Sequence, residues 1–259
     1  MMRVLAIAGL ILCACDGAEA GEGTLRVTAW GEGFIEEGIP ADAFVDGWSV
    51  TFDTFLGSLS EIDAEEAGLE GTHVLDLSKS SAGAGQELGP LTVAAGRRPI
   101  LSWSLAPATS DAVTDIDDKV LDAMVGANAS IWARGTARRG DEVKTFDWAL
   151  DTRSRYVECD TGVSLAAGET QDAVLTVHAD HLFYDDLDAE DPGVAFDLIA
   201  AADMDLDGAI TLDELRAQSL SGQTRYQVGG RDIDDLHGFI VEKARTVGHI
   251  NGEGHCEIE

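Results

Sequence analysis

The sequence predicts a mainly β protein with a helical C-terminal segment. Between residues 24 and 186, short β-branched or aromatic runs are separated by Gly, Pro, Asp and Ser. The chain also holds 29 glycines, which fits a fold with many turns. After residue 186 the apolar residues recur at helical spacing instead. We therefore expect an antiparallel β-sandwich over residues 24–186 and a helical segment over residues 187–259.

Individual elements follow from the same patterns. Alternation and turn signals predict strands within the ranges 24–32, 48–59, 72–78, 89–96, 99–108, 129–137, 144–152, 155–159 and 172–183. Helical spacing predicts helices within the ranges 194–202, 211–220 and 232–250. In the last of these, the apolar face is formed by Ile233, Leu236, Ile240 and Val241.

Residues 203–214, DMDLDGAITLDE, place acidic side chains at alternate positions before a glycine and a closing glutamate. A calcium ion needs six to eight oxygen ligands at roughly 2.3 to 2.6 Å, which such a loop supplies from positions 1, 3, 5, 7, 9 and 12. Gly208 permits the sharp turn, and Ile210 is an apolar residue that would pack beneath the site. The predicted ligands are Asp203, Asp205, Asp207, Ala209 through its carbonyl, Thr211 directly or through a water, and Glu214 through both carboxylate oxygens.

This stretch resembles the EF-hand family, and the resemblance implies a calcium ion bound between two helices. No second copy of the loop is found in the sequence. Sensor proteins of the family carry paired hands, so a single hand argues against a calmodulin-like switch and favours a structural ion. Dockerin modules use a related loop, but in duplicate and normally with Asp where this chain has Glu214. The alternative is an acidic surface turn that happens to fit the pattern.

The chain is strongly acidic, with a formal net charge of −31. Such a surface repels nucleic acid and anionic lipid and favours cations or basic partners. No Lys or Arg occurs from Tyr156 to Leu215. The acids within the range 185–191 either supply further calcium ligands or form a solvated loop.

The N-terminus predicts export. Arg3 precedes an apolar run from Val4 to Leu12 that is too short to span a membrane, as in a secretory signal. The stretch LCAC resembles a bacterial lipobox, which implies a signal peptide over residues 1–14, lipidation of Cys15 and a flexible tether over residues 15–23. Ordinary cleavage near Ala20 is the alternative. We thus expect a lipid-anchored protein of the bacterial cell envelope, facing the periplasm or the exterior, whose membrane contact is through the anchor alone.

Two cysteines remain for the folded part. In an oxidising compartment Cys159 and Cys256 most simply form one disulfide bond, which would tie the last residues to the middle of the chain.

The histidines suggest a second metal. His178, His181, His249 and His255 are candidates for a zinc or copper site, with His178, His181 and His255 as its central set. Residues three apart in a regular strand point to opposite faces, so His178 and His181 converge only if the strand breaks at Ala179 or Asp180.

Catalytic signatures are absent from the sequence: it contains no G-x-S-x-G elbow, H-E-x-x-H helix or phosphate-binding glycine loop. We therefore predict a calcium-binding envelope protein, not an enzyme, whose β domain binds a protein or carbohydrate partner or acts as a scaffold. Calcium would order the C-terminal segment. Two readings stay open: a periplasmic transition-metal binder, and an enzyme whose site is assembled from distant residues.

Overall fold

The structure is a computed structural model that describes residues 21–259. It is mainly β, with 43% strand and 16% helix arranged around two mixed sheets. The predicted signal peptide over residues 1–14 and the predicted lipidation of Cys15 lie outside the described residues. The first strand begins at Glu22, so the last two residues of the predicted tether are part of the fold.

The elements are numbered in chain order. The strands are β1 Glu22–Trp30, β2 Ser49–Ala64, β3 Ala67–Asp76, β4 Gln86–Ala94, β5 Ile100–Leu105, β6 Val113–Thr114, β7 Ile131–Arg139, β8 Glu142–Leu150, β9 Ser154–Asp160, β10 Thr170–Val177, β11 Ala209–Ile210, β12 Gly248–Ile250 and β13 Glu257–Ile258. The α-helices are α1 Glu32–Glu36, α2 Asp118–Gly126, α3 Asp197–Ala200, α4 Leu212–Ala217 and α5 Leu236–Ala244. A 3₁₀ helix covers Ala179–Phe183.

The smaller sheet has the strand order β12-β10-β1-β4. The larger has the order β11-β8-β7-β2-β5-β9-β13, with β3 paired to β2 and β6 paired to β3. All nine predicted strands are present. The expectation of antiparallel sheets is wrong, however, because β1 pairs with β10 in parallel, as do β3 with β6 and β8 with β11. Strands joined by long connections are free of the hairpin constraint that makes sequence neighbours antiparallel.

The C-terminal segment is less helical than expected. Its three helices are short, and the predicted helix over residues 232–250 is wrong at both ends. Asp235 caps α5 by accepting a hydrogen bond from Gly238 N at 2.7 Å, so the helix begins only at Leu236. After Ala244 the chain leaves the helix, and residues 248–250 form β12 by pairing with β10. The segment thus contributes strands to both sheets, through β11, β12 and β13.

One hydrophobic cluster combines side chains from both sheets with those of α5. Leu25 of β1, Phe55 of β2, Trp103 of β5 and Phe239 of α5 are all buried in it. A smaller cluster lies under α2. None of the helices in residues 21–259 is long and apolar enough to cross a bilayer.

The two cysteines of the folded part are paired as predicted. The sulfur atoms of Cys159 and Cys256 lie 2.04 Å apart. Directly after Cys256, β13 pairs antiparallel with β9, so the end of the chain is attached to the larger sheet by both a covalent bond and backbone hydrogen bonds.

Candidate metal centres

The loop of residues 203–214 docks on the edge of the larger sheet. Its β11 pairs in parallel with β8, and Thr145 N donates to Gly208 O at 2.8 Å. Trp148 Nε1 donates to Ile210 O at 2.8 Å, and the side chain of Ile210 is buried. Strand β8 therefore supplies hydrogen-bond partners for the backbone of this loop.

Local hydrogen bonds shape the loop. Gly208 adopts a φ of 88°, which favours glycine because it has no side chain to strain the backbone. Asp205 Oδ1 accepts from Asp207 N at 3.2 Å, and Asp207 Oδ1 accepts from Ala209 N at 2.7 Å. These short-range bonds are typical of aspartates in turns.

Asp203 is the buried end of the site, with only 3% of its surface exposed. Its Oδ2 accepts from Lys144 Nζ at 2.6 Å and from Gly208 N at 3.1 Å. The hydrogen bond from Lys144 lowers the pKa of Asp203 from its ordinary value, so this carboxyl is ionised. Its Oδ1 is buried and has no hydrogen-bond partner in the described structure.

Three of the predicted calcium ligands converge. One carboxylate oxygen each from Asp203, Asp205 and Glu214 lies within 4.8 Å of the others. Glu214 is held in place by a capping box at the start of α4: its Oε2 accepts from Thr211 N at 2.9 Å, and Glu214 N donates to Thr211 Oγ1 at 3.2 Å. The same backbone contact lowers the pKa of Glu214.

The other predicted ligands lie outside this group of three. Asp207 binds the backbone of its own turn, and the hydroxyl of Thr211 donates to Glu214 Oε2 at 2.9 Å. Ala209 lies in β11. Nor do the acids of residues 185–191 join the group: Asp185 pairs with Arg225 at 3.3 Å and Asp188 with Arg231 at 2.6 Å.

A second cluster forms where β10 ends. The strand stops at Val177, and the 3₁₀ helix begins at Ala179. Side chains three residues apart eclipse one another in a 3₁₀ helix, so the break brings His178 and His181 to the same side. Their ring centroids are 5.6 Å apart.

The pairing of β12 with β10 adds a third imidazole. His249 lies opposite Thr176, and its ring centroid is 4.3 Å from that of His178 and 5.2 Å from that of His181. His178 and His249 are both buried. We call these three residues the histidine cluster.

Carboxylates complete two donor sets around His178. Ligand atoms of His178, Asp180 and His181 lie within 4.8 Å of one another, as do those of His178, His249 and Glu253. In addition, Glu32 Oε1 lies 3.5 Å from His178 Nε2.

The cluster is electrostatically unusual. Burial, followed by the charges of His249, His178 and Lys243, lowers the pKa of His181 to about 3. Burial likewise lowers the pKa of His249 to about 4. Burial raises the pKa of Asp180 and of Glu32, and the charge of Glu253 acts in the same direction on both.

Sequence reasoning found part of this cluster. It named the pair His178 and His181, but assigned the third central place to His255. The structure instead places His249 beside this pair, while His255 is exposed, with its ring centroid 5.7 Å from that of His249. The carboxylates of Glu32 and Glu253 were missed because only the folded chain brings them to His178, and that of Asp180 was missed although it lies between His178 and His181 in the sequence.

A surface groove of about 630 Å³ borders residues 203–214, between β7, β8 and α4. Both of its arginines are ion-paired, Arg134 with Asp147 at 3.0 Å and Arg216 with Asp213 at 2.9 Å.

The chain was compared with protein-family models, with curated proteins and with solved structures. None of these comparisons finds a match.

Proposed function

We propose that this protein is a non-catalytic calcium-binding protein of the cell envelope. In this proposal, residues 203–214 form an EF-hand-type site on the edge of a β-sandwich. The ion orders the C-terminal segment, and the β domain binds a partner or serves as a scaffold. The envelope location rests on the N-terminal sequence.

The observation that carries the proposal is the free carboxylate oxygen of Asp203. A buried charged oxygen without a partner is costly, and binding a cation removes that cost. Carboxylate oxygens of Asp205 and Glu214 lie within 4.8 Å of a ligand oxygen of Asp203. Oxygen-only donors of this kind suit calcium better than a softer metal.

A structural role for the ion follows from the elements that the loop connects. Inside the loop, β11 is hydrogen-bonded to β8; directly after it, α4 begins at Leu212. The end of α4 is joined to α5, because Leu236 N donates to Gln218 O at 3.0 Å. An ion that fixes the loop therefore fixes the path from the sheet edge to α5.

The test is calorimetric titration of the chelator-stripped protein with calcium. We expect one ion, with a dissociation constant of about 10⁻⁴ to 10⁻³ M, the range of extracellular EF-hands. Glu214→Gln should abolish this binding, because it removes the charge of a predicted bidentate ligand.

Asp213→Asn is the matched control. Asp213 is the sequence neighbour of Glu214, but its side chain is 93% exposed and pairs with Arg216. This variant should bind calcium like the parent protein. The proposal fails if the parent protein binds no calcium, or if Glu214→Gln binds it equally well.

A further inference from the structure

The histidine cluster has donors that are already oriented. His181 Nδ1 is hydrogen-bonded to Thr246 Oγ1 at 2.9 Å, which leaves its Nε2 available. Asp180 Oδ2 accepts from Tyr184 Oη at 2.8 Å, while Asp180 Oδ1 is buried without a partner in the described structure. Partners that hold the far side of a ligand in this way are characteristic of metal sites.

A second unpartnered atom belongs to the other donor set around His178. Nδ1 of His249 is buried and has no hydrogen-bond partner among the described residues, and His249 is 9% exposed. Each of the two donor sets around His178 thus contains one buried polar atom that protein contacts leave unsatisfied. Such atoms are rare in folded proteins and need an explanation.

The charges favour a cation. Three carboxylates, those of Glu32, Asp180 and Glu253, lie around the imidazoles of the cluster. The ammonium of Lys243 lies over the ring of Tyr184, 5.2 Å from its centroid. A divalent ion would compensate the carboxylates and satisfy the unpartnered atoms together.

Local structure keeps the ligands in place. The turn that carries Glu253 is closed by reciprocal hydrogen bonds between Ile250 and Gly254, of 2.9 and 3.0 Å. Asn251 ties this turn to β10, because its Oδ1 accepts from Val174 N at 2.8 Å. The disulfide bond at Cys256 then anchors the chain just beyond it.

We propose that the histidine cluster binds one divalent transition-metal ion, zinc or copper(II), with His178 as the ligand shared by both donor sets. Imidazole nitrogen is a preferred ligand of these two metals, whereas calcium prefers oxygen alone. The site is independent of residues 203–214, so it neither requires nor replaces the proposed calcium site.

The experiment is titration of the calcium-saturated protein with Zn²⁺ and, separately, with Cu²⁺. We expect one ion of either metal per chain, and His178→Gln should weaken binding by more than about 100-fold, beyond the 10- to 100-fold effect typical of outer-shell residues. Thr246→Val, which releases His181 Nδ1, should weaken binding by about 10-fold. His237→Gln is the control, since His237 lies on α5 beside Arg216, outside the cluster, and should leave binding unchanged.

A spectroscopic readout separates ligation from folding. The electron paramagnetic resonance spectrum of bound Cu²⁺ should show coupling to nitrogen, and this coupling should decrease in both His249→Gln and His181→Gln. Calcium binding should persist in all of these variants. The proposal is overturned if the parent protein binds neither metal, if His178→Gln binds as tightly as the parent, or if bound Cu²⁺ shows no nitrogen coupling.

Discussion

At the scale of single residues, Lys144 shapes the proposed calcium site. Its ammonium donates to Asp203 Oδ2, and the side chains of the two residues are only 13% and 0% exposed. The contact neutralises one carboxylate when no ion is bound and leaves Oδ1 free. The same positive charge opposes a cation at that oxygen, because unit charges about 4 Å apart interact by about 4 kcal/mol near a protein surface.

We expect Lys144→Gln to raise calcium affinity about tenfold, because the repulsion is removed while a hydrogen bond to Asp203 is retained. Without calcium, the variant should lose about 3 kcal/mol of stability, the lower end of the usual cost of removing one partner of a buried ion pair, because Gln restores a hydrogen bond but not the charge. Calorimetry and urea unfolding in chelator measure the two effects. Lys79→Gln, which removes an exposed ion pair with Asp115, is the control and should change neither. Weaker calcium binding in Lys144→Gln would mean that Lys144 mainly positions Asp203.

At the scale of secondary-structure elements, β12 connects the core to the histidine cluster. Gly248 N donates to Tyr156 Oη at 3.1 Å, and Tyr156 Oη donates to Arg245 O at 3.0 Å. A methyl group at Gly248 would overlap the rings of Tyr156 and Trp103. The strand therefore requires glycine here in order to approach the core and hold His249 opposite β10.

Gly248→Ala should destabilise the protein by about 1 to 3 kcal/mol, the usual cost of overpacking a core. It should also weaken zinc binding, because His249 is the next residue in β12. Urea unfolding and zinc titration measure these effects. Gly126→Ala is the control, since a methyl group at Gly126, the last residue of α2, would meet no atom within 4 Å. If Gly248→Ala were as stable as the parent protein, the close approach of β12 to the two rings would be refuted.

At the scale of the whole molecule, the disulfide bond closes a long loop. Its two cysteines are 97 residues apart in sequence, and the chain between them includes β10, residues 203–214 and the histidine cluster. In the chain-entropy account, a crosslink of this length stabilises a protein by about 4 to 5 kcal/mol.

We expect the double variant Cys159→Ala and Cys256→Ala to lose about 2 to 5 kcal/mol of stability, measured by guanidinium unfolding. Zinc affinity should fall, because the turn that carries Glu253 loses its anchor. Calcium affinity should be nearly unchanged, because the calcium loop is held by β8 and α4. The parent protein in reductant is the matched comparison. Equal stability of the oxidised and reduced proteins would contradict this account.

By itself, the sequence determined what depends on short stretches of chain. Alternating side chains and turn residues predicted nine of the thirteen strands of residues 21–259, because the two-residue period of a strand is a local property. The short strands β6, β11, β12 and β13 were missed. Loop spacing is also a local property, and it named Asp203, Asp205 and Glu214, whose carboxylate oxygens converge in the structure. The two cysteines of the folded part left a single pairing. Helix ends were predicted less well, because β12 forms only through its pairing with β10.

Only the tertiary structure decided what depends on distant segments. The parallel direction of β1 and β10, the contact of Lys144 with Asp203 and the meeting of His249 with His178 each join residues 59 or more positions apart. No local pattern encodes such contacts, because they result from packing both sheets around one core. Among the described residues, one buried oxygen each of Asp203 and Asp180 is left without a hydrogen-bond partner, and the two metal-binding proposals rest on these oxygens.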